Sequence, residues 1–213
     1  MTSSQILSDL FGSLQVDNDQ VELVVWYGNR QGRDIDLLVI LKGGLSNTII
    51  GSCGYGLLDI GFVGKSWVPM MIKHLDPIIV EPILTGEIIW GENNQWCQDI
   101  LKQEVDEDIP IYLLQSAEIF YEWSVLHTFE NRFREAILTL SFACSYILYA
   151  EKYWSGKNLV LFKDLLSSND GLWIRQNLIK AKSKGHISRY DVCQALTKTR
   201  SMLTDLRVIV GCM

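Results

Sequence analysis

The chain has 213 residues, 48% of them apolar and 21% charged, with a net charge of −6; this excludes disorder as the main state and allows a sizeable core in one large domain or two small ones. The charge is split, because residues 1–110 carry 6 Lys/Arg against 16 Asp/Glu, a balance of −10, while residues 111–213 carry 13 against 9, a balance of +4. An acidic whole excludes a nucleic-acid coat along its length, and the split predicts two domains with different tasks.

Ser3 or Ser4 can cap a short helix in which Ile6, Leu7, Leu10 and Phe11 form one apolar face. Asp17-Asn18-Asp19 reads as a turn, and Val21 to Tyr27, rich in β-branched and aromatic residues, as a strand. A turn at 28–32 leads to a second strand, Ile35 to Leu41, whose apolar run suits a covered sheet. Residues 51–56, Gly-Ser-Cys-Gly-Tyr-Gly, read as a flexible hairpin turn; no Lys-Ser/Thr follows, so they are no Walker loop. Leu57 to Val63 is a third strand, and Ser66 caps a helix to about His74. Asp76 to Leu84, interrupted by Pro77 and Pro82, is expected as an edge strand, and Gly86 and Gly91 flank a further short strand. The fold class is α+β: a small mixed-sheet domain over 1–92, an acidic linker over 93–110, and an α-helical bundle over 111–213.

The bundle is expected because the texture changes after Pro110. Between Ile111 and Ser155 there is neither Gly nor Pro. Leu126, Phe129, Phe133, Ile137, Leu140, Ile147 and Trp154 recur at helical spacing, predicting one long helix or two joined ones. Three more helices are predicted over 158–168, 172–184 and 187–209. Tyr121, Trp123, Phe129 and Phe133 also fall at helical spacings and are expected in the core rather than as a base-stacking platform.

Five scattered cysteines form neither CxxC nor Cys/His clusters, so no zinc site or disulfide framework is indicated. The N-terminus lacks a basic-plus-apolar signal, and the longest uncharged stretch, Ala136 to Ala150, has 15 residues, short of a membrane span. A reducing, cytoplasmic setting without membrane contact is expected. Eight Lys/Arg lie between Arg175 and Arg207 against Asp191 and Asp205. Such a run is either a landing surface for a phosphate-rich acceptor such as RNA or a solvated, ion-paired helix face.

The chemistry concentrates in Tyr27-Gly-Asn-Arg-Gln-Gly-Arg-Asp34-Ile-Asp36. A strand ends at Gly28-Asn29, and the next opens with Asp-x-Asp, whose carboxylates face the same way. Paired carboxylates repel unless a cation bridges them, and Mg²⁺ favours carboxylates together with substrate phosphates. Gly28 lets backbone N–H groups approach a triphosphate closely. Asp59, alone in the apolar strand Leu57 to Val63, is a third acid. A charge there is costly unless a metal or partner is beside it.

On Gly28, Asp34, Asp36 and Asp59 the sequence resembles the DNA-polymerase-β-like nucleotidyltransferases, small bacterial type with a C-terminal helical domain. The resemblance spans roughly residues 20–92; Asp76-Pro, Leu84-Thr-Gly86 and Trp90-Gly91 fit its tail more weakly. It implies a two-metal Mg²⁺ site held by Asp34, Asp36 and Asp59, with Asp59 also the base for an acceptor hydroxyl. It implies transfer of a nucleoside monophosphate, AMP from ATP foremost, to an unidentified acceptor: protein, RNA or small molecule. An antibiotic-modifying enzyme is one variant, and a homo-oligomer is compatible. The sequence departs from the family in carrying Asn29 in place of Ser, with only four residues between Asn29 and Asp34. Arg30 and Arg33 compensate as phosphate ligands in the enzyme reading. The departures also admit a second reading, a nucleotidyltransferase-like binding or regulatory protein of antitoxin type with weak or no catalysis. The Arg-x4-6-His ribonuclease motif of some helical partners of such proteins is absent.

Overall fold

Apolar β-branched runs build strands in the first hundred residues, and the Gly- and Pro-free stretch after Ile111 builds helices. The computed structural model describes residues 3–13, 17–28, 35–43, 47–53, 56–92, 94–182 and 186–211. The chain divides into two units, Met1–Gln103 and Glu104–Met213. The architecture is α+β, a mixed sheet with flanking helices followed by a helical bundle.

The first unit contains α1 (Ser3–Ser13), β1 (Val21–Tyr27), β2 (Ile35–Leu41), β3 (Asn47–Cys53), β4 (Gly56–Gly64), α2 (Val68–Lys73), α3 (Pro77–Thr85), β5 (Glu87–Trp90) and α4 (Asn94–Lys102). Among the described residues the sheet has five strands in the order β3-β4-β2-β1-β5. The β2–β4 pair is parallel and the others are antiparallel. One face carries Val24, Trp26, Leu37, Val39, Ile60 and Phe62, packed with Ile6 of α1. On the other face Leu23, Val25, Leu38, Ile40 and Val63 are also buried, and α3 is the helix against β1 and β2. Burial on both faces is why these strands read as continuous apolar runs.

Two expectations are corrected here. Residues 51–53 of the supposed flexible turn belong to β3 and pair with β4; residues 54–55 lie outside the described residues. The expected edge strand at Asp76 to Leu84 is instead α3. Asp76 is its N-cap, accepting a hydrogen bond from the Ile78 N–H at 3.0 Å, with Pro77 at the first helical position. That Asp-Pro pair is a helix start. Pro82 removes one interior hydrogen bond, yet Ile79, Val80 and Ile83 are buried, and tertiary packing outweighs that loss.

The second unit contains α5 (Asp108–Phe129), α6 (Phe133–Trp154), α7 (Phe162–Leu165), α8 (Asn169–Lys182) and α9 (Arg189–Gly211). The span 93–110, expected as a linker, holds α4 and the first turn of α5, and the units divide inside it. Asp106 starts α5, accepting from the N–H groups of Asp108 and Ile109. Helix α6 is the centre of the bundle, packed by α5, α8 and α9. The α5–α6 break needs no Gly or Pro because Asn131 takes the left-handed conformation, φ 58°. The N–H groups of Asn131 and Arg132 then close back onto the carbonyls of Thr128 and His127. Gly156, φ 86°, ends α6 in the same way. The helix expected over 158–168 shrinks to the four residues of α7.

Trp123 and Phe129, expected in the core, are exposed, whereas Tyr121 and Phe133 pack partly buried against a core of Ala136, Ile137, Leu138 and Leu140. Phe120 takes the inward position instead, against Phe142 and Tyr146. Among the described residues no helix is long and apolar enough to cross a membrane.

Candidate functional site

The site is built where β1 ends and β2 begins. Register sets Tyr27 opposite Asp36, Asp36 opposite Asp59, and Asp59 opposite Ile50, one row across four strands. Residues paired in register belong to the same face of a sheet. Asp36 and Asp59 are therefore neighbours on parallel strands, with backbones about 4.8 Å apart. This parallel pairing joins positions 23 residues apart in sequence, which alternation alone does not reveal.

Gly28 closes the row. It sits at φ +77°, a left-handed conformation that disfavours side chains. The Asp36 carboxylate lies against Gly28 where any other residue would carry its Cβ. Glycine is thus required twice, by backbone conformation and by proximity to Asp36. Asp36 is half-buried and Gly28 exposed.

The other predicted site residues stand as follows. Asn29, Arg30, Arg33 and Asp34 lie outside the described residues. Asp59 is described as a strand position, not as a side chain. Among the described residues no three His, Cys, Asp or Glu side chains gather as a metal-binding group. What the fold brings together is Gly28, Asp36 and the Asp59 position. Tyr27, the last strand residue before Gly28, stands opposite Asp36 in the same row.

Aspartate is a residue type that hard divalent cations such as Mg²⁺ or Mn²⁺ take as a ligand, and Asp36 and Asp59 are the strand positions that could supply it. Asp76, in the weaker part of the family pattern, is a buried helix cap instead.

Three of the eight cations in the basic run of the second unit stand in ion pairs. Lys180 meets Asp191 at 2.7 Å, Lys198 meets Asp170 at 2.7 Å while lying over the Trp173 ring, and Arg207 meets Glu118 at 2.7 Å. Lys184 and the Lys182 side chain lie outside the described residues. The Asp191 carboxylate is held well below its usual range by Lys180, with Ser188 adding side-chain and backbone donors. Burial pushes the Cys144 thiol up to about 12, against smaller lowering by the Thr199 hydroxyl at 3.1 Å and by the charge of Lys198.

No family model matches this chain, and no curated protein matches it in sequence. Among solved structures it is similar to a nucleotidyltransferase-like protein from Exiguobacterium sibiricum 255-15, at 11% identity and a TM-score of 0.42, over 98% of this chain and 76% of that one. That likeness is too loose to establish a shared topology; the reading of the site rests on strand register.

Proposed function

We propose that the first unit is the catalytic half of an Mg²⁺-dependent nucleotidyltransferase. It would move a nucleoside monophosphate, AMP from ATP foremost, to a hydroxyl of a protein, RNA or small-molecule acceptor. The observation that carries this is the Asp36–Asp59 register pair beside the left-handed Gly28.

Asp34, Asp36 and Asp59 would hold the magnesium. Magnesium, when bound, supplies Lewis-acid stabilisation of the attacking and leaving oxygens. Gly28 and Asn29 would bring backbone and amide donors to the triphosphate, and Arg30 and Arg33 would bind its outer phosphates. The acceptor oxygen bonds to the α-phosphorus, the α–β P–O bond breaks, and pyrophosphate leaves. Asp59 takes the hydroxyl proton. The test is transfer of label from α-labelled ATP to cell-extract acceptors, with mass spectrometry of what gains mass. Transfer that needs Mg²⁺ and is lost in Asp36→Asn supports the reading; the absence of Mg²⁺-nucleotide binding for all four triphosphates refutes it.

Asn29 and the four-residue spacing to Asp34 favour a second reading, a regulatory or antitoxin-type protein that binds nucleotide without turnover. It predicts Mg²⁺-dependent nucleotide binding with no pyrophosphate release. Pyrophosphate release with any acceptor, aminoglycosides included, would refute it.

A further inference from the structure

We propose that α5 is the surface through which two copies of this chain pair about a two-fold axis. Between Ile111 and Phe129 twelve of nineteen residues are aliphatic or aromatic and fall on every side of this helix, with Glu118 and Glu122 its two acids. A helix of that pattern is normally covered on all sides. Here one arc, Leu113, Leu114, Ala117, Ser124 and Thr128, is buried. The opposite arc is open: Ile111 is 38% exposed, Ile119 50%, Trp123 53%, Leu126 53% and Phe129 77%. At 3.6 residues per turn these five fall within about 120° of the helix surface.

The occupant argued for is a second copy. Five side chains at these exposures offer roughly 500–600 Å² of apolar surface, and a symmetric pair doubles this to about the 1,000 Å² that a specific interface must clear. An isologous contact needs one self-complementary patch, which a single apolar stripe provides. Glu122 and Gln115, at about 20° and 40° from Ile111 on the same helical wheel, lie within the open arc; Glu118 is engaged by Arg207. An axis parallel to the helices would set the two Glu122 carboxylates level with each other. An axis across them staggers the pair, so the helices run antiparallel. Trp123, packed edge-on against Phe120 with ring centroids 5.7 Å apart at 85°, lies midway along the helix at one flank of the arc, and a large aromatic side chain is the kind of residue on which binding energy concentrates.

The test is the mass of the full chain in solution by light scattering and sedimentation, for wild type, Trp123→Glu and Phe129→Glu. Phe129 is so exposed that its replacement leaves the fold intact, which makes it the safer variant. Expected are a wild-type dimer and, for each variant, a dissociation constant raised at least ~30-fold with unchanged circular dichroism. A wild-type chain monomeric at its highest soluble concentration overturns the proposal. So does a dimer indifferent to both substitutions. A monomer whose melting temperature falls in Phe129→Glu assigns the stripe to another part of this chain and overturns it too.

Discussion

Gly28→Ala probes the point where fold and site meet. A Cβ there would overlap Asp36 Oδ2, with Asp36 Cγ and Cβ at 3.3 and 3.5 Å, so the carboxylate must swing away while the strand stays in place. Holding alanine at φ +77° costs about 1–2 kcal/mol, and forcing the Asp36 side chain off its rotamer about 0.5–1.5 more. The lower chain entropy of unfolded alanine returns about 0.4–1 kcal/mol. The net loss is roughly 0.5–3 kcal/mol, which in a unit of this size lowers the melting temperature by roughly 2–25 °C. Calorimetry that resolves the two units, or amide exchange in β1 and β2, measures it where it acts. Gly12→Ala is the control: its Cβ meets nothing within 4 Å, and in helix α1 it should raise stability by about 0.5–1 kcal/mol. If Gly28→Ala melts like wild type, the left-handed turn and its crowding by Asp36 are wrong.

The start of α9 should be acid-sensitive. Asp191 and Ser188 exchange hydrogen bonds, Ser188 N–H to Asp191 Oδ2 at 2.9 Å and Asp191 N–H to Ser188 Oγ at 3.2 Å, and Lys180 adds an ion pair. Because the folded carboxylate titrates below its unfolded value, its contribution is complete above an unfolded pKa of about 3.9 and is lost as pH falls through the folded value. Asp191→Asn should thus cost roughly 1 kcal/mol in neutral urea melts, with the difference narrowing in strong acid; a pH-independent difference contradicts it. The Cys144 thiol, raised from 9.0 to about 12, works in the opposite direction. Its stabilisation is complete below the unfolded pKa and is lost as pH rises toward the folded one, so Cys144→Ala should narrow the alkaline loss of stability. In the native chain a maleimide should label the exposed Cys193 and spare Cys144; rapid labelling of Cys144 would show that the α6–α9 seam opens.

Strands β1, β2 and β4 were legible because doubly covered strands concentrate β-branched residues, and the Asp-x-Asp was legible as acids opening an apolar run. The pairing that sets Asp36 beside Asp59 was implied only by the family resemblance, since parallel register is decided by packing among distant segments. Pro77 and Pro82 suggested an edge strand because proline disfavours both interior helix and interior sheet; the Asp76 cap resolved that ambiguity toward helix. Asn131 hid the break between α5 and α6, because only its backbone conformation distinguishes it from a helical residue. Periodicity marked Leu126 and Phe129 as apolar positions of a helix without showing that their side of α5 would be left open. The cations after Arg175 were visible, and Asp191 among them, but the partners Asp170 and Glu118 lie outside that run.

The most direct test of the central claim is calorimetric titration of ATP with Mg²⁺ into wild type, Asp36→Asn, Asp59→Asn and the double variant. If the two carboxylates serve one cation site, each single substitution abolishes Mg²⁺-dependent nucleotide binding and the double is no worse than either. In chelator, where the paired acids repel, Asp36→Asn should be at least as stable as wild type. Undiminished Mg²⁺-ATP binding by Asp36→Asn, or the absence of binding by wild type, would contradict a shared site.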